Sequence, residues 1–411
     1  MSNNHTHDEG CHCLGRRSFL TLAAATAGMV ILPLGRARAA GNEIVIGGTL
    51  AQSGPLAGAT KPFVDLANAW AKRVNDAGGI ELKKMGKKLP IRFVFYDDQT
   101  SPPEALKLYE RLATVDKVDL FIGPYSSFLT NAALQASLTH NLPFFMVEAN
   151  DEVLFEKPNK WRVTGLAPAA TEYDRTVPLF QGRGDLKTVA LLGRENLHER
   201  QSVEGAAGNF EKLGMKVVYN SLAPAATKDF SSIVLAIKQQ NPDVVLVEAL
   251  PPPWIIAFLK QARELGLNPK ELIAGHVGLP VVRAMGASGD HIVSNTYYFE
   301  GDTADHKELF AIAKEAAGGE PWTYPEIGLR YRAFRRIKNA LERAGTLDPE
   351  AVRQAMWSTE LHLYGEEVIK HDERGYGTDI PYPTEIRGGS VMSLWPLAKG
   401  RKEHQPKNGK W

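Results

Sequence analysis

The sequence predicts an α/β fold of two doubly wound parallel-sheet lobes joined by a multi-strand hinge. Short, almost wholly apolar runs alternate with segments of helical periodicity, the pattern of parallel strands covered on both faces. The alternation occurs twice in the same order: Val118-Asp-Leu-Phe-Ile122 answers to Pro242-Asp-Val-Val-Leu246, each ahead of a turn and a helix. The chain also has 411 residues, more than one hydrophobic core of ~250–300 residues accommodates.

The first 40 residues read as a leader rather than as part of either lobe. Gly15-Arg-Arg-Ser-Phe-Leu20 precedes a modestly apolar run, Leu22 to Leu34, and Ala37-Arg-Ala39 places small residues at a cleavage site. Paired arginines with Phe19-Leu20 resemble a twin-arginine export signal, cut near Ala39 or Ala40. Both cysteines, Cys11 and Cys13, lie in this leader beside His5, His7 and His12. The mature chain is therefore expected in the periplasm without disulfides, and the metal-like tract is discarded with the leader. Cleavage removes four arginines and two acidic residues from 48 basic and 47 acidic, leaving 44 and 45. Such a balance gives no reason to expect nucleic acid. No later apolar run is long enough to span a bilayer, so no direct membrane insertion is expected after cleavage.

In the first series Glu43 to Leu50 is a strand and Pro62 to Ala77 a helix with Phe63, Leu66, Trp70 and Val74 on one face, ended by Gly78-Gly79. A basic loop follows, then the strand Pro90 to Tyr96. Ser101-Pro-Pro-Glu104 reads as a capping box with proline in the first turn. Next come the buried strand Leu120 to Ile122, the break Gly123-Pro124, Ser126 and Ser127 where an N-cap belongs, a helix over Phe128 to Gln135, and the strand Pro143 to Val147.

The second series has strands at Thr188 to Leu192, Met215 to Tyr219, Asp243 to Val247 and Leu272-Ile273. Its helices span Gln201 to Leu213, Asp229 to Gln240 and Trp254 to Leu265. A strand at Asn295 to Glu300 and helices over His306 to Ala317 and Tyr324 to Ala344 follow, the latter with Ile327, Tyr331, Phe334, Ile337 and Leu341 on one stripe. Asp348-Pro-Glu opens a short helix, and the tail after Gly365 carries strand-like patches. These late elements cap both lobes, so the chain crosses between them more than once, and such crossings act as hinges. The lobes are assigned as 41–164 with 297–365, and 165–296 with 366–411.

Neither a dinucleotide glycine fingerprint, a P-loop, a Gly-x-Ser-x-Gly elbow nor a His-Glu-x-x-His motif is present. His198-Glu199 could be a base with its orienting acid, but a pair at a helix start is the commoner meaning. What stands out is the set of loops after the strands: Gln52 to Pro55, Tyr125 to Ser127, Glu148 to Asp151, Asn196 to His198, Leu250 to Trp254 and His276 to Gly278. If the lobes face each other, these six surround one cleft of hydrogen-bonding and aromatic groups suited to a small polar ligand. Tyr125, Ser126 and Ser127 lie at a helix start, where backbone N–H groups favour an anion.

Six segments together resemble the type I periplasmic binding proteins, specifically the Leu/Ile/Val-binding branched-chain amino acid and amide group that serves ABC transporters. They are Ile46 to Pro55, Asn75 to Ile80, Tyr96-Asp-Asp98, Ile122 to Ser127, Lys228-Asp-Phe230 and Gln261 to Gly266, all in family order. The resemblance implies a non-enzymatic receptor without cofactor or metal, whose lobes close over a solute and deliver it to a membrane permease. It also implies that Ser127 holds a carboxylate, that Ala149, Asn150 and Asp151 form a second contact loop, and that His198, Leu250 and His276 line the other lobe. Here the chain departs from the family: Asp151 replaces a hydroxyl, His198 a tyrosine, His276 the acid that receives an ammonium, and Leu250 a polar or aromatic residue. The ligand is then an amino acid whose amine is taken by Asp151 or Glu148, or else an amide, urea-like compound or organic acid. A receptor of the same fold that signals to a partner protein is the alternative function.

Overall fold

The computed structural model describes residues 41–298, 301–318, 325–364, 367–395 and 403–406. The leader, Phe299-Glu300, Gly319, Tyr324 and Gly365 lie outside them.

In chain order the first lobe runs β1 (Ile44–Thr49), the short α1 (Ala57–Thr60), α2 (Phe63–Asp76), a hairpin of β2 (Ile80–Leu82) and β3 (Lys87–Leu89), β4 (Ile91–Tyr96), α3 (Pro102–Thr114), β5 (Leu120–Ile122), α4 (Ser127–His140), β6 (Phe144–Met146) and β7 (Arg162–Thr164). The sheet has the order β4-β1-β5-β6-β7 and is parallel throughout. The segment expected as a basic loop is the β2–β3 hairpin, with Ile80, Leu82 and Leu89 buried and the lysines outward. Ser101 precedes α3, but its side chain makes no cap hydrogen bond, so the expected capping box does not form. Proline in the first turn is the start signal that operates.

The second lobe runs β8 (Thr188–Arg194), α5 (Leu197–Lys212), β9 (Lys216–Ala223), α6 (Ser231–Gln239), β10 (Val244–Glu248), α7 (Pro252–Glu264), β11 (Glu271–Ala274), α8 (Leu279–Met285) and β12 (Val293–Thr296). Then come α9 (Ala304–Ala317), α10 (Ile327–Ala344), α11 (Pro349–Trp357) and a hairpin of β13 (Leu361–Leu363) and β14 (Glu367–Ile369). β15 (Tyr382–Arg387) and β16 (Ser390–Ser393) complete the chain. The second sheet is β16-β15-β12-β11-β10-β8-β9, parallel except that β15 runs antiparallel to both its neighbours, β12 and β16. α5 begins four residues earlier than its periodicity predicts, because the Asn196 side chain accepts the Leu197 N–H at 2.7 Å and caps it.

Each sheet is covered on both faces. Trp70 of α2 stacks on Phe334 of α10 at 5.1 Å, with Phe93 of β4 against both, so the late helices complete the first lobe. Its other face carries Tyr109, Phe121 and Phe144. In the second lobe Phe230, Trp254 and Phe258 form the core under α6 and α7, and Val203 and Phe210 of α5 cover the opposite face.

The chain passes between the sheets after β7, after β12 and before β15. Two crossings run side by side: Ala167 N–H donates to Asp379 O at 3.0 Å and Asp379 N–H to Gly165 O at 3.0 Å. Asp379 is held by Arg332 at 2.8 Å and Arg336 at 3.4 Å, both from α10. Among the described residues no helix is long and apolar enough to cross a membrane.

Candidate functional site

The ends of β5 and β6 set the first-lobe wall. Tyr125 and Glu148 form a parallel bridge beyond their strands, which brings the two loops together at the start of α4. Ser126 takes φ 90° and ψ 151°, a conformation a side chain adopts only at a cost of ~1–3 kcal/mol. Ser126 and Ser127 are each 1 % exposed. Among the described residues neither hydroxyl has a hydrogen-bond partner, and the cap makes no side-chain hydrogen bond. A 14-residue helix therefore presents its positive end and two unengaged hydroxyls in a buried place, the arrangement that receives an anion or carbonyl.

The remaining predicted residues divide. Tyr125 OH donates to Glu326 Oε1 at 3.2 Å. Asn150 spans the lobes: its Nδ2 donates to Ala167 O at 2.8 Å and its Oδ1 faces His198 Nδ1 at 3.0 Å. Leu250 is buried in the first lobe's apolar cluster with Tyr125, and its N–H donates to Glu199 Oε1 at 3.3 Å. Ala149 points instead into the core beside Phe144 and Met146. Asp151 caps a one-turn helix through Val153 N–H at 3.0 Å. Glu148 is committed to Arg330 of α10 at 2.6 Å. Of the loops, Gln52 to Pro55 is exposed and tied to Asp97, with Ser53 Oγ donating at 2.7 Å. Trp254 belongs to the second-lobe core, edge-on to Phe230 at 4.6 Å.

His276 is the centre of the second-lobe wall. Its backbone is left-handed, with φ 54°, and its N–H is held by Asn295 Oδ1 at 2.9 Å. Three carboxylates surround its ring: Glu172 at 3.4 Å and Glu248 at 3.3 Å from Nε2, and Glu326 at 3.3 Å from Nδ1. All are ion-pair distances, yet among the described residues neither ring nitrogen is in hydrogen-bond geometry with a partner. Glu172 is oriented by Asn295 Nδ2 at 3.1 Å and Tyr297 OH at 2.9 Å, and Glu248 by Tyr173 OH. Gly275 is required here, because a Cβ at this position would run into the Glu248 carboxylate.

The charges follow from burial and from each other. Burial alone would lower the His276 pKa, but Glu248, Glu326 and Glu172 outweigh it and raise it well above the usual range. Burial would likewise raise Glu248, and His276 holds it below. Desolvation pushes Glu148, Glu172 and Glu199 up to about 7 and His198 down to about 4.

Glu172, Glu248, Glu326 and Arg330 were not singled out in the sequence. Glu248 alone left a signal: a charged residue closes the apolar run of β10, two positions before a loop already suspected.

A family profile described as "Periplasmic binding protein" matches residues 43–378. The Leu/Ile/Val-binding protein homolog 7 of Brucella melitensis is 23% identical over 395 residues, 91% of this chain and 92% of that one. Among solved structures, a leucine binding protein LivK from Thermotoga maritima superposes with a TM-score of 0.74 at 19% identity, over 85% of this chain and 97% of its own. A solute binding protein of an ABC transporter from R. palustris, in complex with 4-hydroxybenzoate, gives 0.72 at 22% identity, over 90% and 98%.

Proposed function

The chain belongs to the periplasmic binding protein family, and from that premise we propose that it is the exported solute receptor of an ABC importer. One observation carries the reading. Among the described residues, buried polar atoms without a hydrogen-bond partner lie on both walls: Ser126 and Ser127 Oγ and Glu148 Oε1 from the first lobe, and from the second Glu199 Oε2 with Glu248 Oε1 and the His276 ring, which have only ion-pair contacts. Buried polar groups are ordinarily satisfied, so such a concentration between two lobes supports a guest as the missing partner. The solute is small and polar, with a carboxylate or carbonyl against Ser126, Ser127 and the start of α4. Branched-chain amino acids, amides and small carboxylates meet that description. The Thermotoga relative is named for leucine and the R. palustris relative holds a benzoate, which motivates testing both classes.

Closure over the guest then delivers it to a membrane permease. The lobe boundaries are 41–164 with 297–365 and 165–296 with 366–411, and export follows the twin-arginine route after which residues 1–40 are removed. Arg16→Lys with Arg17→Lys should retain uncleaved precursor in the cytoplasm.

The test begins with protein unfolded and refolded to strip any bound solute. Leucine, isoleucine, small amides, benzoate and 4-hydroxybenzoate are then screened by thermal shift and small-angle scattering. A true ligand at 100 times its Kd adds ~2.7 kcal/mol of stability and contracts the radius of gyration. If no compound in these classes does either, and mass spectrometry finds no co-purifying small molecule, the receptor reading fails.

A further inference from the structure

We propose that Glu172, His198 and His276 form a site for a divalent transition-metal ion at the second-lobe wall of the cleft. Each offers one ligand atom, the three atoms lie within 4.8 Å of one another, and all three residues are buried. They come from three separate segments: the turn after β7, the first turn of α5, and the loop after β11.

The spacing is that of ion pairs without hydrogen-bond geometry, and it also fits coordination. Charge-assisted hydrogen bonds between nitrogen and carboxylate run at ~2.7–2.9 Å. His276 Nε2 instead stands 3.4 Å from Glu172 Oε1 and 3.3 Å from Glu248 Oε1. Ligands at ~2.0–2.1 Å from a tetrahedral zinc are ~3.3–3.4 Å apart along each edge. The 3.4 Å between His276 Nε2 and Glu172 Oε1, an ion pair in the empty protein, therefore also matches two ligands sharing an ion.

The surrounding groups orient the ligands as metal sites do. Asn150 Nδ2 is taken by Ala167 O, so its Oδ1 faces His198, and His198 Nδ1 carries the proton that it receives. That leaves the lone pair on Nε2. Ser202 has one hydroxyl proton, and the His198 carbonyl at 3.1 Å competes for it with Nε2 at 3.3 Å. His276 Nδ1 faces the Glu326 carboxylate while Nε2 faces Glu172 and Glu248, the carboxylate–histidine–metal arrangement. Glu172 is fixed by Asn295 and Tyr297. Two imidazoles and one carboxylate suit zinc, cobalt or nickel over calcium or magnesium, the ion replacing the Nε2 proton of His276, which is released to water on binding. Three protein ligands leave a position for water or for an oxygen of the solute.

The test uses the full chain, treated with a chelator and then titrated with cobalt(II) and with zinc(II). We expect one cleft-bound equivalent of cobalt with a visible d–d absorption, displaced by zinc. His198→Gln and His276→Gln should each weaken that binding by ~100-fold or more, and Asn150→Ala, which touches no ion, by ~10–100-fold. Circular dichroism verifies that each variant folds. Every chain carries the same His5, His7, Cys11, His12 and Cys13 tract, so an absorption unchanged in His198→Gln and His276→Gln arises there and overturns the proposal, as does its absence from the parent. The site rests on the same cleft as the receptor reading, yet the two fail separately: a solute that stabilises and closes the chelator-treated protein sustains the receptor without the metal.

Discussion

Removing the Ser127 hydroxyl should weaken solute binding and leave the empty protein as stable as before, or more so. The two effects have opposite signs because the hydroxyl is 1 % exposed and, among the described residues, has no hydrogen-bond partner. An unsatisfied buried polar group costs ~1–3 kcal/mol, whereas a hydrogen bond to a charged group contributes ~1.5–3 kcal/mol. Ser127→Ala therefore relieves the first in the empty protein and forfeits the second in the complex. At ~1.4 kcal/mol per decade, the loss in affinity is ~10–150-fold for the solute that gives the largest thermal shift. Melting of stripped protein and calorimetric titration measure the two sides independently. A variant that binds as tightly as the parent moves the anion end away from α4. A variant whose empty form loses more than ~1 kcal/mol gives the hydroxyl a structural role and refutes the reasoning.

Three further outcomes follow from named contacts. His404 lies 2.9 Å from Glu385 and 3.0 Å from Glu271. Burial opposes its charge, but both carboxylates raise its pKa to about 9, while Glu385 is held down to about 2. The His404 contribution, ~3 kcal/mol, is whole below pH 6.5 and is lost as pH rises through 9. The Glu385 side of the same interaction is whole above pH 4.5 and fails as pH falls through 2. Hydrogen exchange of residues 403–406 should therefore accelerate between pH 7 and 10 beyond its intrinsic rate, and His404→Gln should abolish that step. Gly275→Ala should cost ~1–3 kcal/mol by overpacking against Glu248 and weaken solute binding, both read from melting curves with and without solute. Asn150→Ala strands the Ala167 carbonyl and the His198 N–H, so it should lower stability by ~1–3 kcal/mol, checked by urea denaturation.

What could be read in the sequence was local. Leu120 to Ile122 and Val244 to Leu246 announce themselves as strands because both faces of each sheet are covered, so apolarity is continuous. The turn that holds Ser126 and Ser127 is marked by residues next to one another, Gly123-Pro124 ahead of two hydroxyls. What brings Glu172, Glu248 and Glu326 around His276 is tertiary: the first two reach it from separate segments of the second lobe, and Glu326 joins them from α10 of the first. The stripe on α10 was legible through Ile327, Tyr331, Phe334, Ile337 and Leu341, but the helix is buried well beyond that stripe. Arg330, Arg332 and Arg336 are each at most 1 % exposed, because they face Glu148 and Asp379 rather than water. Periodicity assigns arginines to the outside, and only the partners reverse that assignment.

On the receptor function proposed above, the same features favour a cleft that closes on a guest rather than on itself. Ser126 and His276 both hold backbone conformations with positive φ, each costing ~1–3 kcal/mol in a residue with a side chain. Around them lie hydroxyls, carboxylate oxygens and ring nitrogens that have no hydrogen-bond partner among the described residues. Docking of the empty lobes gains the Asn150–His198 hydrogen bond and the His276–Glu326 ion pair but leaves the Ser126 and Ser127 hydroxyls without partners among the described residues, so part of what is removed from water is not replaced. A guest that supplies partners at the α4 end and at the His276 end recovers the loss only when both lobes reach it at once. Differential affinity for the closed state is what shifts a population, and here it is built from unmet hydrogen bonds on opposite walls. A solute that satisfied one wall alone would bind the open form nearly as well and would leave the lobes apart.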